Sequence, residues 1–129
     1  SSENALLLSR MLQDHPKVGG IHYPGLASSP YYDLAERQFP RGKGGLLTFS
    51  LASAQECFAL MDALKVISRA TNVNDNKSLI IHPASTIYSE YEKSKREDMG
   101  VLDTLLRLSV GIEDCSDLIE DLEQGLSKI

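Results

Sequence analysis

The length, composition and charge of this chain set outer limits on what it can be. Its 129 residues, of which 42% are hydrophobic and 24% charged, suffice for one ordinary domain, residues 1–129, that buries about two thirds of its unfolded surface. The formal net charge of −5 argues against a surface for nucleic acid or anionic membranes. No apolar run approaches the ~18 residues of a membrane span, and no signal-peptide pattern opens the chain, so we expect a cytoplasmic protein.

The first half of the chain predicts helices that alternate with short strands. Apolar residues at helical spacing indicate a helix over residues 3–13, and because it begins at once we expect the chain to be part of a longer one. We predict a strand over residues 18–23, a serine-capped helix over residues 29–37 and a strand over residues 46–51. The glycine-rich stretch 41–45 lacks the spacing of a phosphate-binding loop, so we interpret it as a flexible turn.

The second half continues this alternation. Ser53 and Glu56 form a capping box at the start of a helix that reaches residue 64. The remaining elements, in order, are a strand over 66–71, a polar loop over 72–76, a strand over 78–81, a helix over 88–95, a strand over 105–112 and a helix that Asp114 caps. This order predicts an α/β (α+β) two-layer sandwich, in which a mostly antiparallel sheet of four or five strands carries helices on one face.

The strand over residues 105–112 is the centre of the prediction. Alternation places Leu106, Leu108, Val110 and Ile112 on a core face, and Leu105, Arg107, Ser109 and Gly111 on the opposite face. Arg107 in mid-strand needs water or an anion, because burying an unpaired charge costs several kcal/mol. The pattern alone leaves three explanations open: an ion pair with an Asp or Glu of the chain, an edge strand whose guanidinium reaches solvent, or a site for a carboxylate or phosphate ligand.

Neither the cysteines nor the histidines indicate a catalytic or metal site. Cys57 and Cys115 lie in apolar helical patterns without ligand spacing, so we predict that both are small core residues. His15, His22 and His82 are scattered in turn contexts, and we expect none of them to be catalytic.

Several stretches of the sequence resemble one enzyme family, in order and over nearly the whole chain. The stretch Thr-Leu-Leu-Arg-Leu-Ser-Val-Gly-Ile-Glu-Asp, residues 104–114, and the acidic helix after it are similar to the C-terminal end of the Cys/Met-metabolism family of pyridoxal-phosphate enzymes. The resemblance continues upstream through residues 15–18, 22–26, 29–31, 42–49 and 72–86. It covers only the last third of such an enzyme.

The resemblance implies the fold of the C-terminal small domain of fold-type I pyridoxal-phosphate-dependent transferases, with the cofactor carried by a separate large domain. It implies that Arg107 binds the α-carboxylate of a small amino-acid substrate as a bidentate pair, and that Asn72 adds a hydrogen bond to the same carboxylate. No residue here matches the cofactor lysine or the phosphate cradle of the family. We therefore expect this chain alone to bind no pyridoxal 5'-phosphate and to be inactive, and full-length relatives to assemble as homodimers or homotetramers.

Within the family, the stretch 72–86 is most similar to the O-acetylhomoserine sulfhydrylases. Asn72 and Lys77 favour that branch, whereas Asn74 and Tyr88 depart from it. The implied reaction replaces the acetate of O-acetyl-L-homoserine with sulfide or a thiol, to give homocysteine or methionine. Cystathionine γ-synthase, cystathionine lyase and methionine γ-lyase are alternatives within the family, and a non-catalytic carboxylate-binding or assembly domain is an alternative of another class.

Overall fold

The computed structural model describes residues 1–129 and contains five α-helices and five strands. In chain order they are α1 (Ser2–Asp14), β1 (Gly20–His22), α2 (Tyr32–Gln38), β2 (Leu46–Ser50), α3 (Ala54–Ala63), β3 (Ser68–Arg69), β4 (Leu79–Ile81), a 3-10 turn (Pro83–Ser85), α4 (Lys93–Asp98), β5 (Leu105–Ser109) and α5 (Cys115–Leu126). None of the helices combines the length and apolar character that crossing a bilayer requires.

The five strands form one sheet in the order β1-β2-β5-β4-β3. All neighbouring strands are antiparallel except β3 and β4, which are parallel. The predicted fold class is therefore confirmed, and the strand at its centre is β5. Because β5 has a hydrogen-bonded neighbour on each side, it is not an edge strand.

The core lies on the face of the sheet that α1, α3 and α5 cover. Leu106 and Leu108 of β5 are fully buried there, as the alternation predicts. The sheet and the helices share this cluster, whose members include Leu47, Phe49, Ile80, Leu8, Leu60, Leu118 and Leu122. Each fully buried leucine stabilises the fold by about 1.5–3 kcal/mol relative to an exposed one, so this face holds the two layers together.

Two helix starts follow the predicted caps. The Ser53 hydroxyl accepts the Glu56 N–H at 3.1 Å, while the Glu56 carboxylate accepts the Ala52 N–H at 3.2 Å, one residue earlier than in the standard capping box. Asp114 caps α5 by accepting the Ser116 N–H at 2.9 Å. These bonds satisfy backbone donors that the first turn of each helix leaves unpaired.

Two predicted helices begin later than expected. The Ser29 hydroxyl accepts the N–H of Tyr31 at 3.1 Å in a turn, and α2 begins only at Tyr32. The helix predicted over residues 88–95 is observed as α4, Lys93–Asp98. A 3-10 turn begins at Pro83, and further turns follow it up to α4. The first residues of the predicted helix therefore lie in turns.

Three predicted strands are shorter than expected by three residues or more, and two residues predicted in the core are not buried. The strand predicted over residues 18–23 is observed as Gly20–His22. The strand predicted over residues 66–71 is reduced to Ser68–Arg69, and β5 ends at Ser109. Ile112 is 66% exposed, because the chain has left the sheet and is turning into α5. Cys57 is buried as predicted, whereas Cys115 opens α5 and is only partly buried.

Candidate functional site

Arg107 lies in the middle of the central strand, on the face of the sheet opposite the core, which we call the outer face. Its neighbours Leu106 and Leu108 point into the core, so its own side chain points away from it. The register places Arg107 opposite Thr48 of β2 and Ile81 of β4. The site is therefore built on the best-supported strand of the sheet.

The Arg107 guanidinium has no acidic partner. None of the ion pairs in the chain includes it. Its Nη2 donates one hydrogen bond, to the Thr71 carbonyl at 2.8 Å. An arginine has five N–H donors, so most of them are free to bind an anion. Of the three explanations that the sequence left open, the ion pair and the edge strand are wrong, and the ligand site stays a prediction.

The loop from Thr71 to Lys77, which we call the 71–77 loop, crosses the outer face beside Arg107. It joins two parallel strands, so the chain has to run back along the sheet before β4 begins. Its Thr71 carbonyl contacts Arg107, and its Asn74 N–H donates to the Ser109 hydroxyl at 3.0 Å. The loop therefore follows β5 from Arg107 towards the end of the strand.

Asn72 lies at the start of the 71–77 loop. It directly follows Thr71, whose carbonyl binds the guanidinium. Its side chain is exposed, and its one hydrogen bond is marginal, from Nδ2 to the Asp75 carboxylate at 3.5 Å. The structure thus places Asn72 one residue from the carbonyl that binds Arg107, and a common ligand of the two side chains stays a prediction.

The far end of the 71–77 loop is fixed by a buried network. Glu113 accepts both the N–H and the hydroxyl of Ser78, at 2.8 and 2.9 Å. The Ser78 hydroxyl in turn accepts the Gly111 N–H at 2.8 Å. At Gly111, a Cβ would lie 2.2 Å from the Asn76 carbonyl oxygen, so only glycine permits so close an approach of the loop.

The turn between α3 and β3 depends on Asp121, a buried residue of α5. It accepts the backbone N–H groups of Lys65, Val66 and Ile67 at 2.8–2.9 Å. Burial by itself raises the pKa of Asp121, but these donors and the side chain of Gln124 outweigh it and hold the pKa below its ordinary value. Because the three N–H groups bind Asp121 rather than a neighbouring strand, β3 begins only at Ser68.

The sequence missed the groups that place the site, namely the Thr71 carbonyl, Asn74, Ser109 and Gly111. One signal was present. The two residues that follow Arg107 on the outer face, Ser109 and Gly111, are small, and glycine on a strand often marks a close approach of another backbone. No periodic pattern of apolar residues predicted the path of the loop that fills this space.

His82 and Cys57 are buried and have structural surroundings. The buried His82 ring bonds the Asp103 carbonyl through Nε2 at 2.6 Å and the Ser85 hydroxyl through Nδ1 at 2.7 Å. A carbonyl only accepts, so the proton is on Nε2, and His82 ties two turns together. Burial raises the pKa of Cys57 to about 11, so this thiol is a poor nucleophile.

The sequence profile of the Cys/Met metabolism PLP-dependent enzymes matches residues 1–127. This chain belongs to that family. The L-methionine gamma-lyase of Fusobacterium nucleatum subsp. nucleatum is 43% identical over 128 residues, which are 98% of this chain and 32% of that protein. The O-acetyl-L-homoserine sulfhydrylase of Corynebacterium glutamicum is 38% identical over 129 residues, which are 99% of this chain and 30% of that protein.

Solved structures of the Cys/Met metabolism family share the fold. The O-acetylhomoserine sulfhydrylase of Wolinella succinogenes matches with a TM-score of 0.82 and 42% identity, over 97% of this chain and 32% of that one. A putative O-acetylhomoserine (thiol)-lyase of Campylobacter jejuni, solved with N'-pyridoxyl-lysine-5'-monophosphate, matches with a TM-score of 0.93 and 35% identity, over 98% of this chain and 30% of that one. The chain thus spans about a third of the length of the relatives it matches.

The lysines of this chain do not fit the cofactor of the family. Pyridoxal phosphate is held as a Schiff base by a lysine amine. Lys43 lines a surface cavity of about 310 Å³, but it pairs with Glu36 at 3.1 Å. Lys17 donates to the carbonyls of Leu126 and Ile129, and the remaining lysines are exposed.

Proposed function

We propose that residues 1–129 form the C-terminal domain of a pyridoxal-phosphate-dependent O-acetylhomoserine sulfhydrylase, and that this domain binds the α-carboxylate of the substrate. The observation that carries the proposal is the Arg107 guanidinium. It is held on the central strand by the Thr71 carbonyl, lacks an acidic partner and binds the residue that directly precedes the exposed Asn72. Family membership supports the class of enzyme, and the site supports the role of this part of it.

Arg107 and Asn72 suit a carboxylate for geometric reasons. The planar fork of an arginine matches the two oxygens of a carboxylate, and an asparagine amide N–H adds a third donor. Each hydrogen bond to a charged group is worth roughly 1.5–3 kcal/mol. A clamp of this kind fixes the direction of the α-amino group and the side chain of the substrate.

The remaining parts of the proposal lie outside these residues. The cofactor acts as an electron sink when bound, and we assign it to a large domain that precedes this one. The proposed partners are that domain, the small amino-acid substrate and further copies of the protein, as a homodimer or homotetramer in the cytoplasm. Sulfide or a thiol replaces acetate in the proposed reaction, giving homocysteine or methionine.

A methionine γ-lyase is the second candidate, because one specific observation favours it. L-Methionine gamma-lyases of Fusobacterium nucleatum and Pseudomonas putida are each 43% identical to this chain, against 38% for the Corynebacterium glutamicum sulfhydrylase. The proposed carboxylate clamp serves both reactions equally, since both substrates are α-amino acids. The clamp therefore does not distinguish the two candidates, and an assay has to.

The test is a pair of assays on the full-length protein loaded with pyridoxal phosphate. One contains O-acetyl-L-homoserine with sulfide, and the other contains L-methionine alone. The proposal expects homocysteine in the first assay, at a kcat/KM at least tenfold above that for release of a thiol from methionine. The reverse ratio would identify a lyase. A protein that binds amino acids but turns over neither of these substrates, nor cystathionine, would favour the non-catalytic alternative.

A further inference from the structure

One hydroxyl group ties the middle of the 71–77 loop to the central strand. Ser109 follows Arg107 by two residues and shares its face of β5. Its Oγ accepts the N–H of Asn74, which follows Asn72 by two residues, at 3.0 Å. Ser109 is only 2% exposed, whereas Asn74 is exposed, so this hydrogen bond is partly buried and joins a buried strand residue to an exposed loop residue.

The other ties between the loop and β5 are at its two ends. The Thr71 carbonyl binds Arg107 at the start, and the Asn76 carbonyl accepts the Ile112 N–H at 2.9 Å near the finish. Asn72 and Val73 make no hydrogen bond to the sheet, so the Ser109 hydroxyl is what fixes the segment between the ends.

The backbone at Asn74 makes this tie specific. Its φ of +57° lies in the left-handed region, which asparagine adopts more readily than most residues. The Asn74 N–H is turned towards the strand, where the serine oxygen is its acceptor. Removal of the hydroxyl deletes the acceptor of this N–H, so the turn should be released from the strand and its N–H left to water.

We propose that Ser109 is a positioning residue for the substrate carboxylate, and that it acts by holding the turn at Asn74 so that the amide of Asn72 reaches the ligand bound to Arg107. This inference rests on the proposed function, because it assumes that a carboxylate binds Arg107. Ser109 itself does not touch the ligand. Ser109 fixes the position of the 71–77 loop relative to β5, while Arg107 supplies the positive charge that binds the carboxylate.

The test uses the full-length protein loaded with pyridoxal phosphate and L-norleucine, an amino acid whose side chain has no leaving group. Ser109→Ala is expected to raise the Kd of L-norleucine about three- to tenfold, the factor that corresponds to one net hydrogen bond. The matched control is Ser50→Ala, because Ser50 also lies on the outer face but its hydroxyl makes no hydrogen bond. The control should leave Kd within twofold of the wild type.

A double-mutant cycle with Arg107→Lys separates positioning from a general structural effect. If Ser109 acts through the carboxylate site, Ser109→Ala should weaken binding less than twofold once Arg107 is replaced. An equal factor in both backgrounds, or a Kd for Ser109→Ala equal to that of the Ser50→Ala control, would overturn the inference. An unchanged Kd for Arg107→Lys alone would instead overturn the proposed function.

A second variant guards against misfolding of the first. Ser109→Cys fills nearly the same space with a weaker acceptor, so it should raise Kd in the same direction by a smaller factor. Cofactor absorbance and circular dichroism identify variants that remain folded. Unchanged binding in a folded Ser109→Cys and a folded Ser109→Ala contradicts the proposal.

Discussion

Asp121 illustrates how much one buried carboxylate can organise. It closes the turn between α3 and β3 by accepting three consecutive backbone N–H groups. Its pKa is lower in the folded protein than in the unfolded chain, despite burial, because those donors favour the charged form. Its stabilising effect is therefore complete above the unfolded-state pKa of about 3.9 and is lost as pH falls through the lowered folded-state value.

Asp121→Asn should lower the free energy of unfolding of the chain by about 1–3 kcal/mol at pH 7, because one amide oxygen replaces two charged ones. The variant should also lose less stability than the wild type on acidification below pH 4, which urea unfolding at several pH values would measure. Glu123→Gln is the control, since this substitution removes the same charge from an exposed position of α5. Equal acid sensitivity of Asp121→Asn and the wild type would contradict the assigned role.

At the scale of elements, the contact between the 71–77 loop and the end of β5 is the tightest in the site. A Cβ on Gly111 would lie 2.2 Å from the Asn76 carbonyl oxygen and 2.7 Å from the Lys77 carbonyl carbon. Both atoms belong to the backbone, so a side chain at this position has to displace the loop. The loop that carries Asn72 is thus kept in place by the absence of a side chain.

Gly111→Ala should lower the free energy of unfolding by about 1–3 kcal/mol, the usual cost of overpacking a filled site. Gly20→Ala is the comparison, because a Cβ there would meet only the Ser50 hydroxyl, at an ordinary 3.5 Å. Thermal and urea unfolding of both variants measure the difference. A Gly111→Ala variant as stable as Gly20→Ala would mean that the loop is free to move away from β5.

The elements also show what the sequence could predict. The two-residue alternation of β5 located Leu106 and Leu108 in the core and Arg107 on the outer face, because a strand leaves no other arrangement. The same pattern failed at Ile112, where the backbone turns into α5. It also failed over residues 66–71, because Asp121, far away in sequence, takes the N–H groups that a longer strand would have used.

At the scale of the whole molecule, the fold and family were predictable and the assembly of the site was only partly so. Short-range signals such as the Ser53 and Asp114 caps located the starts of helices. The order of helices and strands along the chain predicted a sheet with helices on one face. The site depends on contacts between residues more than 30 positions apart, such as Arg107 with Thr71 and Ser109 with Asn74. No local pattern records such contacts. The family resemblance therefore pointed to Arg107 and Asn72, but the sequence did not show which groups position them.

The central claim is that Arg107 binds the carboxylate of an amino acid. The most direct measurement compares the Kd of L-norleucine with that of L-norleucine amide, for the full-length protein and for Arg107→Met. The matched control is Arg37→Met, which removes the same charge from an exposed helix position.

We predict that the wild type and Arg37→Met bind the acid at least tenfold more tightly than the amide, and that Arg107→Met loses most of this preference while its cofactor content is unchanged. A full preference for the acid in Arg107→Met would contradict the account.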